Sequence, residues 1–311
     1  MSIPEWAHVW GAFAGPEMSS RPRKSVRSAR PGPIDVGAVN GLTTTVSFCA
    51  HPDDDLLFMN PDIASDVQAG YTVWVVYLTA GDIPYRPGKD YGGIAYADMR
   101  IQGVRAAYAR AAQRTSNWTY EQLTLAGHPV ATNKLVGTNV RLVFTFVHAA
   151  ASPEDPCGDL YRMWHDPTFV ARPIDGRPAY TKSSFIALIR AILDTTRPDY
   201  IRSQSTIGHR EGDNVDHVSA ALLVADADVD SAKRTRIRRD EYTGYAIQNL
   251  PDNVSGYWRN EKTAIWNEYW PHDPELNSSL WQNVMGKQYS PEGRHFLPGN
   301  PWVPPSDFNS C

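Results

Sequence analysis

The chain has 311 residues, of which 42% are hydrophobic and 21% are charged, and its net charge is −4. This length can bury a sizeable core and suits one large domain with insertions. A nearly neutral balance excludes an electrostatic case for nucleic acid or an anionic membrane, because both need a basic face. No apolar run approaches the roughly 18 to 20 residues that cross a bilayer. The N-terminus lacks a signal-peptide pattern, so we expect a cytoplasmic protein.

Residues 1–43 differ in composition from the rest of the chain. They contain a basic stretch rich in Pro, Ser and Gly, SRPRKSVRSARPGPIDVG, without apolar periodicity. Such a segment is typical of an arm that packs over the body of a protein. We therefore predict an N-terminal arm at 1–43, a main domain at 44–290 and a C-terminal tail at 291–311 packed on that domain.

The three cysteines predict neither a disulfide framework nor a thiolate metal site. Cys49 lies in an apolar run and is expected to be a small buried hydrophobe. No C-x-x-C pair is present. The sequence leaves open whether Cys157 and Cys311 pair.

From about residue 44 the pattern predicts buried strands that alternate with helices. TTTVSFCA and TVWVVYLTA are continuous apolar runs, as in strands buried on both faces of a parallel sheet. Between them, Asn60 and Pro61 signal the start of a short helix and Gly70 its end. Apolar residues recur at helical spacing over 95–113. A strand is predicted at 140–147, an amphipathic helix in KSSFIALIRAILDTT, and a strand in DYIRSQS.

This order of elements predicts an α/β fold. The expected architecture is a Rossmann-like, mostly parallel sheet with helices on both faces and long loop insertions. Residues 149–180 are rich in Pro, Asp and Gly and have few periodic features. An insertion of that length is either a surface excursion or a loop that covers a substrate.

The first predicted strand ends in one imidazole and three carboxylates, His51-Pro52-Asp53-Asp54-Asp55. In an open parallel sheet, ligands collect at the carboxyl ends of the strands. His51 and Asp54 are three residues apart across a turn, so both can face one ion of zinc or a similar metal. Asp53 lies between them and is free to take a proton from water. Taken alone, the motif is explained equally well by a Pro-Asp turn that caps the next helix.

A second group of polar residues follows the strand DYIRSQS, in GHREGDNVDHVSAALLVA. Asp213 or Asn214 can cap a helix here, and His217 then lies in its first turn, where the helix dipole disfavours imidazolium. We therefore predict a metal site formed by His51, Asp54 and His217, with one position open for water. The chain has no G-x-S-x-G, H-E-x-x-H, G-x-G-x-x-G or Walker A motif.

The segments CAHPDDDLLFMNPDI, YLTAGD and DNVDH, with an Arg-bearing helix between the last two, resemble the PIG-L/LmbE family of metal-dependent de-N-acetylases. The resemblance covers roughly residues 44–290. That family includes deacetylases of GlcNAc-phosphatidylinositol, of the mycothiol pathway and of glycopeptide antibiotics. The resemblance implies that His51, Asp54 and His217 bind Zn2+. It also implies that Asp53 is the general base and then the acid for the leaving amine.

Two parts of the motif depart from the family pattern. The family commonly has His-x-x-His in the second motif, and its first His is thought to help stabilise the oxyanion. Here Asn214 stands at that position, so either Asn214 donates a hydrogen bond or His209 reaches in from the preceding loop. The family's Glu after the two Asp is Asp55 here, a milder change.

Other positions are assigned to the substrate by the same resemblance. Arg100 and Asp82 lie where relatives hold substrate hydroxyls or anionic groups, although a structural salt link explains them equally well. The loops 85–93 and 150–180, with Tyr91 and Trp164, are expected to form an aromatic mouth around the site.

The resemblance predicts a zinc-dependent N-deacetylase that acts on an N-acetylglucosamine unit of a small molecule or glycoconjugate. A glycopeptide antibiotic pseudoaglycone is the most specific substrate that we predict. Two alternatives remain open, a metal-dependent amidase for a non-sugar or thiol-conjugate substrate and a catalytically silent glycan-binding module. The predicted sheet also fits a nucleotide-binding oxidoreductase, but this sequence lacks the phosphate-binding loop that such an enzyme needs. The sequence does not define the oligomeric state.

Overall fold

A seven-stranded sheet forms the centre of the computed structural model, which describes residues 27–28, 43–151, 153–228, 238–276, 281–291 and 303–311. Its strands are Thr44–Cys49 (β1), Thr72–Tyr77 (β2), Trp118–Leu125 (β3), His128–Leu135 (β4), Val140–Phe144 (β5), Tyr200–Gln204 (β6) and Arg238–Tyr242 (β7). They lie in the order β7-β6-β1-β2-β5-β4-β3. The first five in this order are parallel, and β4 and β3 continue the sheet antiparallel. The predicted α/β fold with a mostly parallel sheet is confirmed.

Helices cover both faces of the sheet. They are Asp62–Gln68 (α1), Gly93–Ala111 (α2), Gly158–His165 (α3), Lys182–Thr196 (α4), Val215–Asp228 (α5) and Gly256–Tyr269 (α6). One apolar core joins the sheet to α1, α2 and α6, and a second joins it to α3, α4 and α5. In β1, Val46 and Phe48 lie in the second core and Cys49 in the first. Because both faces are buried, the strands read as continuous apolar runs.

The predicted boundaries differ from the observed ones by a few residues. A single π-helical turn, Asp55–Met59, precedes α1, and α1 itself begins at Asp62. The Asn60 side chain still accepts a hydrogen bond from the Ala64 amide at 3.1 Å. Gly70 follows α1 with a φ of +76°, which a residue with a Cβ rarely adopts. We did not predict the β3–β4 hairpin, whose strands carry many polar and exposed residues.

The insertion at 149–180 is less irregular than we predicted, because it contains α3. Two short strands, Val170–Ala171 and Tyr180–Thr181, pair at its end. A disulfide joins Cys157, just before α3, to Cys311. Near that bond, Phe308 is buried against Val218 and Leu222 of α5. Disulfides are uncommon in the cytosol, so the cytoplasmic location stays a prediction.

The predicted N-terminal arm lies mainly outside the described residues. Within it, Arg27–Ser28 pairs antiparallel with Tyr289–Ser290. The division of the chain at residues 43 and 290 therefore stays a prediction. Among the helices of the described residues, none combines the length and apolar character that crossing a bilayer requires.

The order of the strands places a crevice at one edge of the sheet. From β1 the chain proceeds through β2 toward β5 on one side, and it later returns on the other side of β1 as β6. The carboxyl ends of β1 and β6 therefore flank the point where the strand order reverses. Ligands bind at such points in open α/β sheets.

Candidate metal centre

Three buried side chains meet at this crevice. His51 follows β1, Asp54 opens the π-helical turn, and His217 lies in the first turn of α5. Asp54 Oδ1 lies 2.9 Å from His217 Nε2, and Asp54 Oδ2 lies 3.4 Å from His51 Nδ1. One potential ligand atom from each residue lies within 4.8 Å of the other two. The structure therefore brings together the three residues that the two motifs predicted as metal ligands.

The donor atoms of this group fit a metal ion. Within the described part of the chain, Asp54 Oδ1 and His217 Nε2 are buried and have no hydrogen bond of acceptable geometry, although they lie 2.9 Å apart. Buried polar atoms are normally paired, because leaving one unpaired costs about 1–3 kcal/mol. A cation between the two atoms would satisfy both of them. Two imidazole nitrogens and a carboxylate oxygen are a donor set that suits zinc.

Each imidazole is backed by a further carboxylate. His217 Nδ1 lies 2.9 Å from Asp213 Oδ1, and His51 Nε2 lies 3.1 Å from Asp216 Oδ2. Such pairs fix the tautomer and orientation of a ligating histidine. We did not predict Asp216, and we considered Asp213 only as a helix cap. The spacing of Asp213 and His217, four residues apart, was the available signal.

The ring of His217 is also held by packing. Tyr245 stacks on it with centroids 5.3 Å apart and planes 15° apart, and Phe58 contacts it edge-on at 5.6 Å. The Tyr245 amide donates to Asp213 Oδ1 at 3.1 Å. The residue before Tyr245 is Gly244, where a Cβ would overlap the Asp213 carboxylate. A glycine is therefore required at that position for Asp213 to reach His217.

Electrostatics couples the three candidate ligands. Burial alone would lower the pKa of His51, but Asp54 and Asp216 raise it to about 9. Burial likewise opposes the charge on His217, yet Asp54 and Asp213 raise its pKa well above the ordinary range, which reverses the direction expected from the helix dipole. Burial would raise the pKa of Asp54, and the two imidazoles hold it well below its usual value. The carboxylates around the two imidazoles thus favour positive charge at this point, which a bound cation also supplies.

Asp53, the predicted general base, is paired with Arg100. Asp53 Oδ1 lies 2.8 Å from Arg100 Nη2. Burial raises the pKa of Asp53 to about 6, and the guanidinium charge opposes that rise. Arg100 Nη1 donates to the Gly81 carbonyl at 2.9 Å. Arg100 Nε contacts the Tyr269 hydroxyl at 2.9 Å and Asp273 Oδ2 at 3.1 Å.

These contacts occupy all three nitrogens of the Arg100 side chain, which is only 9% exposed. The geometry favours the salt-link explanation of Arg100 over direct contact with the substrate.

Asp82, the other residue assigned to the substrate by resemblance, also has protein partners. Its Oδ1 accepts from the Ala149 amide at 2.9 Å, and its Oδ2 lies 2.9 Å from His148 Nδ1. His148, whose side chain is half exposed, was not among the residues predicted from the motifs.

The two candidates for oxyanion stabilisation lie in different surroundings. Asn214 Oδ1 accepts from the Asp216 amide at 2.7 Å, so Asn214 caps α5. The NH2 group of the Asn214 side chain takes no part in that hydrogen bond. His209 Nε2 lies 3.1 Å from Asp307 Oδ1, and its ring is 5.3 Å from Phe308. His209 thus contacts the C-terminal segment, and the part that either residue plays in oxyanion stabilisation stays a prediction.

The two aromatic residues predicted for the mouth both have protein partners. The Tyr91 hydroxyl donates to Glu275 at 2.6 Å, and its ring lies 5.8 Å from that of Tyr96. The ring of Trp164 is covered by the Lys182 ammonium at 3.9 Å. Their contact with substrate therefore stays a prediction.

A comparison with protein families identifies the chain. Residues 46–227 match the family described as PIG-L: GlcNAc-PI de-N-acetylase. The match spans more than half of the chain, and the protein therefore belongs to the PIG-L family. Membership of this family of de-N-acetylases makes it a hydrolase. A comparison with curated proteins finds no match.

Several solved structures are similar in fold. A triple mutant of a deacetylase from the teicoplanin biosynthetic pathway has 18% identity and a TM-score of 0.46, with 80% of this chain and 95% of that one covered. The A40926 pseudoaglycone deacetylase has 13% identity and a TM-score of 0.45, with coverage of 81% and 96%. The N,N'-diacetylchitobiose deacetylase from Pyrococcus horikoshii has 12% identity and a TM-score of 0.46, with coverage of 77% and 73%. Likeness at this level does not identify a substrate.

Proposed function

We propose that the protein is a zinc-dependent N-deacetylase that hydrolyses the acetamide of an N-acetylglucosamine unit. The observation that carries the proposal is the convergence of His51, Asp54 and His217 on one buried point beside Asp53. The carboxylates behind the two imidazoles support it, because they orient both rings as ligands. Family membership supports amide hydrolysis as the reaction.

His51, Asp54 and His217 would hold the zinc ion, which when bound supplies Lewis-acid polarisation and a more acidic water. Asp53 accepts the proton of the attacking water, and Arg100 fixes the carboxylate that does so. The Asn214 side-chain amide donates to the oxygen on which negative charge develops. The α5 N-terminus, which Asn214 caps, contributes positive potential at the same place.

The finer choice of substrate rests on the motif resemblance. We propose an amino sugar carried by a small molecule or glycoconjugate, and a glycopeptide pseudoaglycone as the first member to test. The loop 85–93 and the insertion 150–180 would contact the part of the substrate beyond the sugar. Tyr91 and Trp164 are the aromatic residues that we assign to this contact.

The test is amine release from a panel of N-acetylglucosaminides that includes a glycopeptide pseudoaglycone. Release should stop when a chelator removes the metal and return when zinc is added back. Asp53→Asn should keep the metal and lose activity. The same change at Asp98, which is exposed on α2, is the matched control and should leave activity unchanged. Release that is insensitive to the chelator would contradict the proposal.

One observation favours a second candidate. Asn214 stands where the family commonly has a histidine, and losing that imidazole lowers catalytic power without removing a metal ligand. A silent glycan-binding module would bind metal and sugar without releasing amine. An amidase for a non-sugar or thiol-conjugate substrate would release amine from other members of a wider panel. The same assay therefore separates all three functions.

A further inference from the structure

His148 and Asp82 form a pair at the edge of the sheet that holds the candidate metal ligands, and Asp82 is buried whereas His148 is half exposed. Asp82 follows β2 and is 6% exposed, and His148 follows β5. His148 Nδ1 lies 2.9 Å from Asp82 Oδ2. The second oxygen of Asp82 accepts from the Ala149 amide at 2.9 Å, and the His148 amide donates to Asp159 Oδ2 at 3.1 Å. The backbone amide and Nδ1 of His148 are thus both held, and the side chain as a whole is half exposed.

The pair is linked to the candidate site from two directions. Two residues after His148, the Ala150 amide donates to Asp216 Oδ2 at 2.6 Å, the oxygen that faces His51. On the other side, the residue before Asp82 is Gly81, whose carbonyl accepts from Arg100. A Cβ at Gly81 would collide with the Arg100 guanidinium and with Pro52 of the first motif. The pair is therefore two residues from a contact of Asp216, the partner of His51, and one residue from a contact of Arg100, the partner of Asp53.

Amide hydrolysis needs a proton donor as well as a base. An amine leaves only when its nitrogen is protonated, and one group that serves as base and acid must change roles between two steps. Asp53 already has one oxygen in an ion pair with Arg100. The hydrogen bond to Asp82 raises the pKa of His148 above its ordinary value, which favours the imidazolium. A histidine oriented by a buried carboxylate is an established arrangement for proton transfer.

We propose that His148, oriented by Asp82, donates a proton from Nε2 to the leaving nitrogen, so that Asp53 acts as the base alone. This inference rests on the proposed function. One proton passes from the attacking water to Asp53, and another passes from His148 to the amide nitrogen as the C–N bond breaks and its electron pair moves to nitrogen. Acetic acid and the free amine leave, Asp53 releases its proton to solvent, and half-exposed His148 takes one up. Asp82 is then a positioning residue and not a contact of the substrate.

The test compares two leaving groups in the metal-loaded protein. The amide is whichever N-acetylglucosaminide the wild type cleaves, and the second substrate is 4-nitrophenyl acetate, whose phenolate leaves without a proton. His148→Gln should lower kcat on the amide by about 10²–10⁴-fold and on the aryl ester by less than about 10-fold. Asp82→Asn should act in the same direction. His128→Gln, the same change on the antiparallel strand β4, is the control.

Chemical rescue gives a second measurement that a structural role would not produce. His148→Ala should regain amide hydrolysis when imidazole is added, because the position is accessible to solvent. Equal losses on both substrates, unchanged kcat on the amide, or no rescue by imidazole would overturn the assignment while the wild-type activity stands. If the wild type cleaves the amide but not the ester, rescue alone decides. A wild type that cleaves no amide in any metal-loaded form would refute the proposed function and this inference together.

Discussion

The carboxylates behind the two imidazoles allow a quantitative test of the metal site. We predict that Asp213→Asn weakens zinc binding by about 10–100-fold, the usual cost of losing such a partner. At about 1.4 kcal/mol per tenfold change, this is about 1.4–2.7 kcal/mol. Asp213 Oδ1 accepts from His217 Nδ1 and from the Asn214 and Tyr245 amides. An asparagine keeps an oxygen for these donors, so the substitution mainly removes the charge.

Asp216→Asn should weaken binding by an amount nearer the lower limit. Its oxygen lies 3.1 Å from His51 Nε2, whereas the Asp213 contact to His217 is 2.9 Å. It also accepts from the Ala150 amide at 2.6 Å, and an asparagine can keep that hydrogen bond. The expected order of zinc affinity is therefore wild type, then Asp216→Asn, then Asp213→Asn.

The assay is competition for zinc between the protein and a chromophoric chelator, with each variant's metal-free thermal stability measured alongside. Asp226→Asn, near the end of the same helix α5, is the matched control and should bind zinc as the wild type does. Affinities within about twofold of the wild type in both test variants, against the 10–100-fold expected for such partners, would refute the idea that these carboxylates orient metal ligands. A loss in the control as large as in the test variants would point to damage of α5 instead.

Three further predictions concern protons, the base and a buried lysine. Burial alone would lower the pKa of His51, but its carboxylate neighbours raise it to about 9, so zinc must displace a proton when it binds. Calorimetry in two buffers at pH 7 should therefore detect proton release, and the zinc affinity should rise with pH up to about 9. Asp53→Asn should lower kcat by about 10²–10⁴-fold with zinc content unchanged by mass spectrometry, and an active variant would contradict its role as base. Burial lowers the pKa of Lys262 to about 7 in the folded protein, so above that pH the unfolded chain binds more protons at this lysine than the folded one does. The contribution of Lys262 to the free energy of unfolding should therefore rise between about pH 7 and 10. Lys262→Met should remove that rise and cost about 1–3 kcal/mol in urea unfolding, because the Leu57 and Lys287 carbonyls lose their donor.

The sequence predicts the parallel part of the sheet well, because burial on both faces leaves long apolar runs such as the one that ends at Cys49. It predicts the grouping of His51, Asp54 and His217 for a related reason, since each follows a strand of the same edge. The β3–β4 hairpin carries no such signal: residues with exposed side chains, such as Tyr120, alternate irregularly with buried ones. The role of His148 is also not readable in the sequence, because Asp82 lies 66 residues away and only the pairing of β2 with β5 brings the two together.

The supports of the site extend beyond the segment that matches the family. That segment ends at residue 227, and it contains all three candidate ligands and Asp53. Tyr245, which stacks on His217, lies after it, and so do Tyr269 and Asp273, which hold Arg100. Gly103 on α2 lets Tyr269 come close enough to contact Arg100, since a Cβ at residue 103 would lie 2.7 Å from the Tyr269 ring. A chain cut after α5 would therefore keep the three ligands, Asp53 and Arg100. It would lose Tyr245, which orients His217, and Tyr269 and Asp273, which orient Arg100. The later part of the chain therefore belongs to the catalytic unit that we propose.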